Sequence, residues 1–207
     1  MKIAVLSDIH GNSGALGKCI EYALACKADK FLFLGDYVGE LAFPQKTMEL
    51  IYRLKEGHDC DFVKGNKEDY WINYRNGGQK GWKEQDSTTG SLLYTYRNLT
   101  DLDLDFFAGL PIAKTIHVAG MPPFTICHGS PRKVNEKLGD NESTYGLMEA
   151  DGSGLILCGH THVQGRIDHE GRRVLNPGSV GVALGCKGQA QFLLLEAVGN
   201  EWKERFI

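Results

Sequence analysis

Apolar runs alternate with helix-spaced segments over the first third of the chain. KIAVLSD (2–8), FLFLGD (31–36) and CDFVKGN (60–66) are stretches that end in polar residues, as strands buried on both faces do. Between the first two, SGALGKCIEYALACK (13–27) places Leu16, Ile20, Ala23 and Leu24 at helical intervals, with Ser13 as the N-cap. PQKTMELIYRLKEG (44–57) predicts a second helix, with Pro in its first turn and Gly after its end. Strand, helix, strand, helix, strand implies right-handed crossovers and a parallel sheet.

The pattern then changes. Residues 69–98 are aromatic and Gly-interrupted (Trp71, Tyr74, Trp82, Tyr94, Tyr96), with a flexible break at NGGQKG (76–81). Such a length predicts short helices, an insertion at about 70–100, rather than an unstructured loop. DLDLDFFAGLP (101–111) is a further helix stopped by Gly-Leu-Pro. Thereafter AKTIHVAG and PFTICHG read as an antiparallel pair, and GLILCGHTH (154–162) as a strand entering a loop. A hairpin is predicted at His169-Glu170-Gly171, and QAQFLLLEA and EWKERF close the chain.

Composition narrows the class. At 207 residues the chain suits one domain spanning 1–207. The net charge of -3 leaves no basic footprint for general nucleic-acid backbone binding. No apolar run approaches the ~18 residues of a membrane span, so a cytoplasmic protein without a membrane partner is expected. The six cysteines are scattered without a CxxC pair, the usage of reduced thiols packed as small apolar residues.

Chemistry gathers at the strand ends. Five apolar runs finish in Asp8-Ile9-His10, Gly35-Asp36, Gly65-Asn66, His128-Gly129 and Gly159-His160-Thr161-His162. Ligands in α/β sheets collect beyond the carboxyl ends of strands. Singly, each cluster reads as a turn; five together, in a chain with seven histidines, read as a site. Asp8, His10, Asp36, Asn66, His128, His160 and His162 exceed one tetrahedral zinc and suit two metals in a mixed oxygen and nitrogen shell. Asp36 is the natural bridge.

In order, DIH, GD, GNKE, the histidine of CHGSP, and GHTH resemble the five-block signature of the calcineurin-like metallophosphoesterases. The closing NPGSVG (176–181) is similar to the small bacterial and archaeal phosphodiesterase branch. The resemblance implies an α/β fold in four layers, two packed mixed sheets flanked by helices. It implies one metal at Asp8, His10 and His162, a second at Asn66, His128 and His160, and Asp36 shared, with manganese, iron, nickel or zinc as the ions. It also implies a metal-bridging hydroxide as nucleophile, and Asn12 near the phosphate.

The departure is Lys67, where the family commonly has a histidine acid. Near two metals such a lysine would lose its proton more easily, and it could act as acid or as a fixed charge on the phosphate. The bland alternative has it in solvent, paired with Glu68 or Asp69. Loss of the histidine favours phosphodiesters or nucleotide anhydrides over monoesters. The expectation is therefore a phosphodiesterase or nucleotide pyrophosphohydrolase acting on a small phosphoester or nucleotide. A phosphoprotein phosphatase and a non-catalytic scaffold are the alternatives, and homo-oligomer formation is compatible with all three. Catalytic roles fall to Asp36, Asn66, Lys67 and His128, and substrate contacts to Asn12, Lys67 and Arg132, with Lys133 beside it. Trp71, Trp82 and Tyr94 are expected to pack the insertion rather than form a lid. His58, His117 and His169 read as surface or strand residues.

Overall fold

Strands β1 (Lys2–Leu6) and β2 (Lys30–Phe33) are buried along nearly their whole length because alternate side chains enter different layers. In the computed structural model, which describes residues 1–78 and 81–207, Ala4, Leu6, Phe31 and Phe33 face a helical layer. Ile3, Val5, Leu32 and Leu34 face a second sheet. This two-sided burial is why the runs are continuous rather than alternating. The break predicted at 76–81 includes residues 79 and 80, which lie outside the described residues.

The first sheet has the order β10-β9-β1-β2-β3, with β3 at Asp59–Phe62, β9 at Leu193–Val198 and β10 at Glu201–Phe206. β1, β2 and β3 are parallel, while β9 joins β1 antiparallel, so the sheet is mixed. The second sheet runs β4-β5-β6-β8-β7, from β4 (Ala113–Ile116), β5 (Phe124–Cys127), β6 (Leu155–Leu157), β7 (Gln164–His169) and β8 (Arg172–Pro177). It too is mixed, antiparallel at both edges and parallel through β5, β6 and β8. The predicted hairpin forms, and Glu170 and Gly171 turn it with φ of 47° and 75°.

Helices α1 (Ser13–Ala25), α2 (Pro44–Gly57), α3 (Asn66–Arg75) and α5 (Asp101–Ala108) contribute to the core on the outer face of the first sheet. α6 (Glu142–Asp151), which the periodicity does not signal, covers the second sheet through Leu147 and Met148. The result is the four-layer α/β arrangement expected from the resemblance.

Two details of α1 differ from the sequence reading. Asn12, not Ser13, is the N-cap, its Oδ1 accepting from the Ala15 N–H at 3.0 Å. Leu24 is 39% exposed, and Cys19 takes the inward position instead. In the aromatic segment, α3 and α4 (Thr89–Arg97) are the short helices foreseen. Trp71 is fully buried, with Trp82 edge-on to it at 5.7 Å and stacked on Tyr74 at 4.4 Å. Tyr94 departs from the packing expectation: it is exposed and donates its hydroxyl to the Ala42 carbonyl at 3.2 Å. All six cysteines are unpaired. Among the described residues no helix is long and apolar enough to cross a membrane.

Candidate metal centre

The site forms where loops leave both sheets on the same side of the molecule. Asp8 and His10 follow β1, Asp36 follows β2, and Asn66 opens α3 after β3; His128 follows β5, and His160 and His162 follow β6. Eight non-glycine residues among those described have positive φ, and five are Asp8, His10, Asp36, His160 and His162. Left-handed backbone in such residues is strained by about 1–3 kcal/mol each and concentrates at functional sites. The loops are bent to aim side chains inward.

Each aimed group keeps one free atom. Asp8 Oδ2 accepts from Ser7 Oγ at 2.6 Å and the His160 N–H at 3.0 Å. Its Oδ1 is buried without a hydrogen-bond partner, 3.1 Å from His162 Nε2 and 3.7 Å from His10 Nε2. His162 Nδ1 sits 2.9 Å from the Val182 carbonyl and His128 Nδ1 2.8 Å from that of Leu34, so both rings donate there and turn Nε2 to the centre. His10 Nε2 and His162 Nε2 stand 3.0 Å apart. Asp36 Oδ1 accepts from the Lys67 N–H at 2.9 Å, leaving Oδ2 3.5 Å from His128 Nε2 and 3.8 Å from His10 Nε2. That oxygen lies between the two groups. Asn66 Oδ1 is 3.2 Å from His128 Nε2, and the His160 ring lies against His128 with centroids 5.1 Å apart.

Asp8, His10 and His162 form one cluster able to hold a metal, and Asp8, Asp36 and His128 another. An orphaned buried carboxylate oxygen and converging imidazole nitrogens suit divalent cations, because a cation supplies the missing partner for every one of them. The electrostatics agree. Burial would raise the Asp8 carboxyl, yet His128, His10 and His162 hold it well below the usual carboxylate range. Burial lowers the His160 imidazole, and His128 adds to that.

Close packing sets the loops. A Cβ on Gly65 would lie 2.2 Å from Asp36 Oδ1, and one on Gly159 would lie 2.0 Å from Ser7 Oγ. Glu68 is fully buried and accepts from the N–H groups of Asp36 (2.9 Å), Tyr37 (2.9 Å) and Gly65 (2.8 Å). It therefore fastens two ligand loops and does not orient Lys67. Burial and the neighbouring Asp36 push its carboxyl up to about 7.

Lys67 does not follow the bland alternative either. Its side chain is 15% exposed and its ammonium pairs with Glu40, while Asp69 pairs with Lys64 at 2.7 Å. Burial lowers the Lys67 ammonium, but Glu40 more than offsets this and raises it, opposite to the direction expected from metals alone. Glu40 also approaches His10 Nδ1 at 2.5 Å, off the axis of a good hydrogen bond. Sequence reasoning missed Glu40, which carries no signal beyond its place four residues after Asp36. It also missed how NPGSVG works. Asn176 Nδ2 donates to the Gly159 carbonyl at 2.6 Å and to Thr161 Oγ1 at 3.0 Å, and Ser179 Oγ donates to the Asp8 carbonyl at 2.7 Å.

The remaining candidates are engaged in other contacts. Asn12 spends its side chain on the helix cap and on the Gly181 carbonyl, 3.3 Å from Nδ2. Arg132 pairs with Glu136 at 2.8 Å and is largely exposed. His58 packs edge-on to Phe31, His169 stacks on Tyr145 at 4.0 Å, and His117 is exposed, as expected of residues outside the site.

A family profile, that of the Calcineurin-like phosphoesterase superfamily domain, matches residues 1–200. The chain belongs to this superfamily of metal-dependent phosphoesterases. Protein MJ0912 of Methanocaldococcus jannaschii is 29% identical over 204 residues, covering 86% of this chain and 76% of that protein. The crystal structure of PH1004 from Pyrococcus horikoshii superposes with a TM-score of 0.85 at 21% identity, covering all of this chain and 86% of that one. A metallophosphoesterase from Sphaerobacter thermophilus superposes at 0.74 with 24% identity, covering 100% and 88%. The two structural likenesses carry the fold alone.

Proposed function

We propose that the chain is a dinuclear metal-dependent phosphodiesterase or nucleotide pyrophosphohydrolase, with the whole of 1–207 as one domain and 70–100 as its insertion. Asp8, His10 and His162 would hold one ion and Asn66, His128 and His160 the other, with Asp36 Oδ2 between them. Manganese is the first ion to try on the strength of the family resemblance, and a mixed oxygen and nitrogen set also accepts iron, nickel or zinc. When bound, a divalent pair supplies an activated water and a clamp on the phosphoryl oxygens. The chain's own residues then orient and hold charge. The Nδ1 contacts of His128 and His162 fix their rings, and Glu68 fixes the Asp36 and Asn66 loops against one another.

The observation that most supports a diester or anhydride is Lys67 ion-paired with Glu40 at the position next to Asn66. A paired ammonium serves as a fixed positive charge beside a phosphate oxygen better than as a proton donor. Leaving groups that need strong protonation, simple alcohols of monoesters, are then served poorly. Activated alcohols and phosphates leave without that help.

The test is a substrate pair on manganese-loaded protein. Bis-p-nitrophenyl phosphate is expected to turn over faster than p-nitrophenyl phosphate. The opposite order sinks the diester reading. Activity on a phosphopeptide above both would replace it with a phosphoprotein phosphatase.

A further inference from the structure

We propose that the cavity between the Glu40–Lys67 pair and α4 is a subsite for an uncharged, flat, hydroxyl-bearing group of the substrate, in chemical class a nucleoside. This rests on the phosphoesterase reading, since it names what the phosphoester carries. The cavity is an open pocket of about 530 Å³, with Lys67, Tyr70, Trp82, Ser87, Thr88 and Leu92 among its walls. That size suits a small organic ligand.

Its position ties it to the metal centre. Lys67 directly follows Asn66, and Glu40 spans from Lys67 to His10 Nδ1. Thr95 Oγ1 donates to the Gly39 carbonyl at 2.8 Å, anchoring α4 to the loop that carries Glu40. A group seated here lies one side chain away from the ligand set.

Its charge excludes a second phosphate. The one lysine among the described residues of the wall is Lys67, already paired with Glu40 and assigned above to the reacting phosphate. The N-terminus of α4, elsewhere a ready anion site, is filled by Asp86, whose Oδ1 accepts from the N–H groups of Thr88 (2.9 Å) and Thr89 (2.7 Å). A polyanion would meet the Glu40 carboxylate in the wall and find these α4 N–H groups already taken.

Its polar groups are the kind a nucleoside satisfies. The hydroxyls of Tyr70, Ser87 and Thr88 line the cavity and make no hydrogen bond among the described residues. Trp82 is held rigid by Tyr74 stacked on its ring and Trp71 at its edge, so an aromatic wall is in place before any ligand arrives. Preorganised aromatic surface with unengaged hydroxyls fits a base and its sugar.

The test is calorimetric titration of metal-free protein with adenosine and, separately, with inorganic pyrophosphate. Adenosine is expected to bind saturably and to quench tryptophan fluorescence, and pyrophosphate to do neither. Ser91→Phe, which fills the cavity, should weaken adenosine by at least ~10-fold while its thermal melt remains cooperative. Trp82→Phe should abolish the quench and keep a flat wall. Absence of adenosine binding at millimolar concentration, equal binding of pyrophosphate, or indifference to Ser91→Phe would overturn the subsite. Hydrolysis of bis-p-nitrophenyl phosphate by metal-loaded protein that fails to bind adenosine overturns the subsite alone. Adenosine binding without any phosphoester hydrolysis overturns the phosphoesterase reading, and with it the cavity's role as a substrate subsite.

Discussion

His160 sits at φ 67°, and its ring makes no hydrogen bond among the described residues. A residue so placed is held by its surroundings for a purpose its own contacts do not serve. His160→Asn keeps a side chain that tolerates the left-handed region. The variant is expected to lose metal at the second position while the metal-free protein melts no lower than the parent. A fall in that melting temperature of more than about 3 °C, roughly 1 kcal/mol for this size, would mean the ring contributes more than the strain costs. Gly65 tests the opposite constraint, lack of room. Gly65→Ala drives a methyl into the Asp36 carboxylate, 2.2 Å away, and into the Asp36 N–H. Metal affinity should fall at least ~10-fold, and stability by about 1–3 kcal/mol from overpacking, measured by metal titration and denaturant melts. Near-parental affinity would show that the two loops are free to separate.

Among elements, β2 and β3 pair in parallel, and Lys30 bridges them to Asp59 at 2.8 Å and Asp61 at 2.7 Å, with 10% of its side chain exposed. Burial would raise Asp61, but Lys114 and Lys30 lower it, so its contribution to stability is complete above pH 3.8 and is lost as pH falls through the folded value. Burial would lower Lys30, but Asp59 and Asp61 raise it above 10.5, so its contribution is complete below that pH and is lost as pH rises through the folded value. Lys30→Met should therefore remove the alkaline limb of melting temperature against pH and make the acid limb shallower, Lys114 still lowering Asp61. An unchanged alkaline limb would show that the Lys30 pairs contribute nothing. Elements also differed in legibility. α1, α2 and the buried strands were plain from their periods. α6 was not, because Leu147 and Met148, adjacent and just after Gly146, are its only large buried apolar residues and set no helical period. Its boundaries were nonetheless written in caps: Asn141 accepts from the Thr144 N–H at 3.1 Å, and Gly152 turns at φ 71°.

For the whole molecule, the ligand set joins the sheets. Asp8, His10, Asp36 and Asn66 come from the first and His128, His160 and His162 from the second, over the shared core of Val5, Leu34, Ile126 and Leu157. Metal held by this set would therefore stabilise the packing of one sheet on the other. At a free metal concentration 100 times the dissociation constant the gain is about 2.7 kcal/mol, or roughly 5–10 °C for a chain of this size. Chelation followed by calorimetry should show that fall, and readdition of manganese should restore it. A melt indifferent to metal would disprove binding at the folded site.

The amino-acid sequence by itself determined the alternation of buried strands and helices, because period and burial are local consequences of which residues are apolar. It also marked the seven candidate ligand positions, because their chemistry stands at the ends of recognisable strands. Tertiary structure decided the rest. Lys67 was written beside Glu68 and Asp69, yet it pairs with Glu40, 27 residues earlier, because the turn into α3 faces the loop after β2. Asn12 reads as a phosphate candidate, and only the fold shows that its side chain also joins a helix cap to the distant Gly181 carbonyl. Which partner a polar side chain takes depends on what the fold brings within hydrogen-bond reach, and that distance is not a property of neighbouring letters.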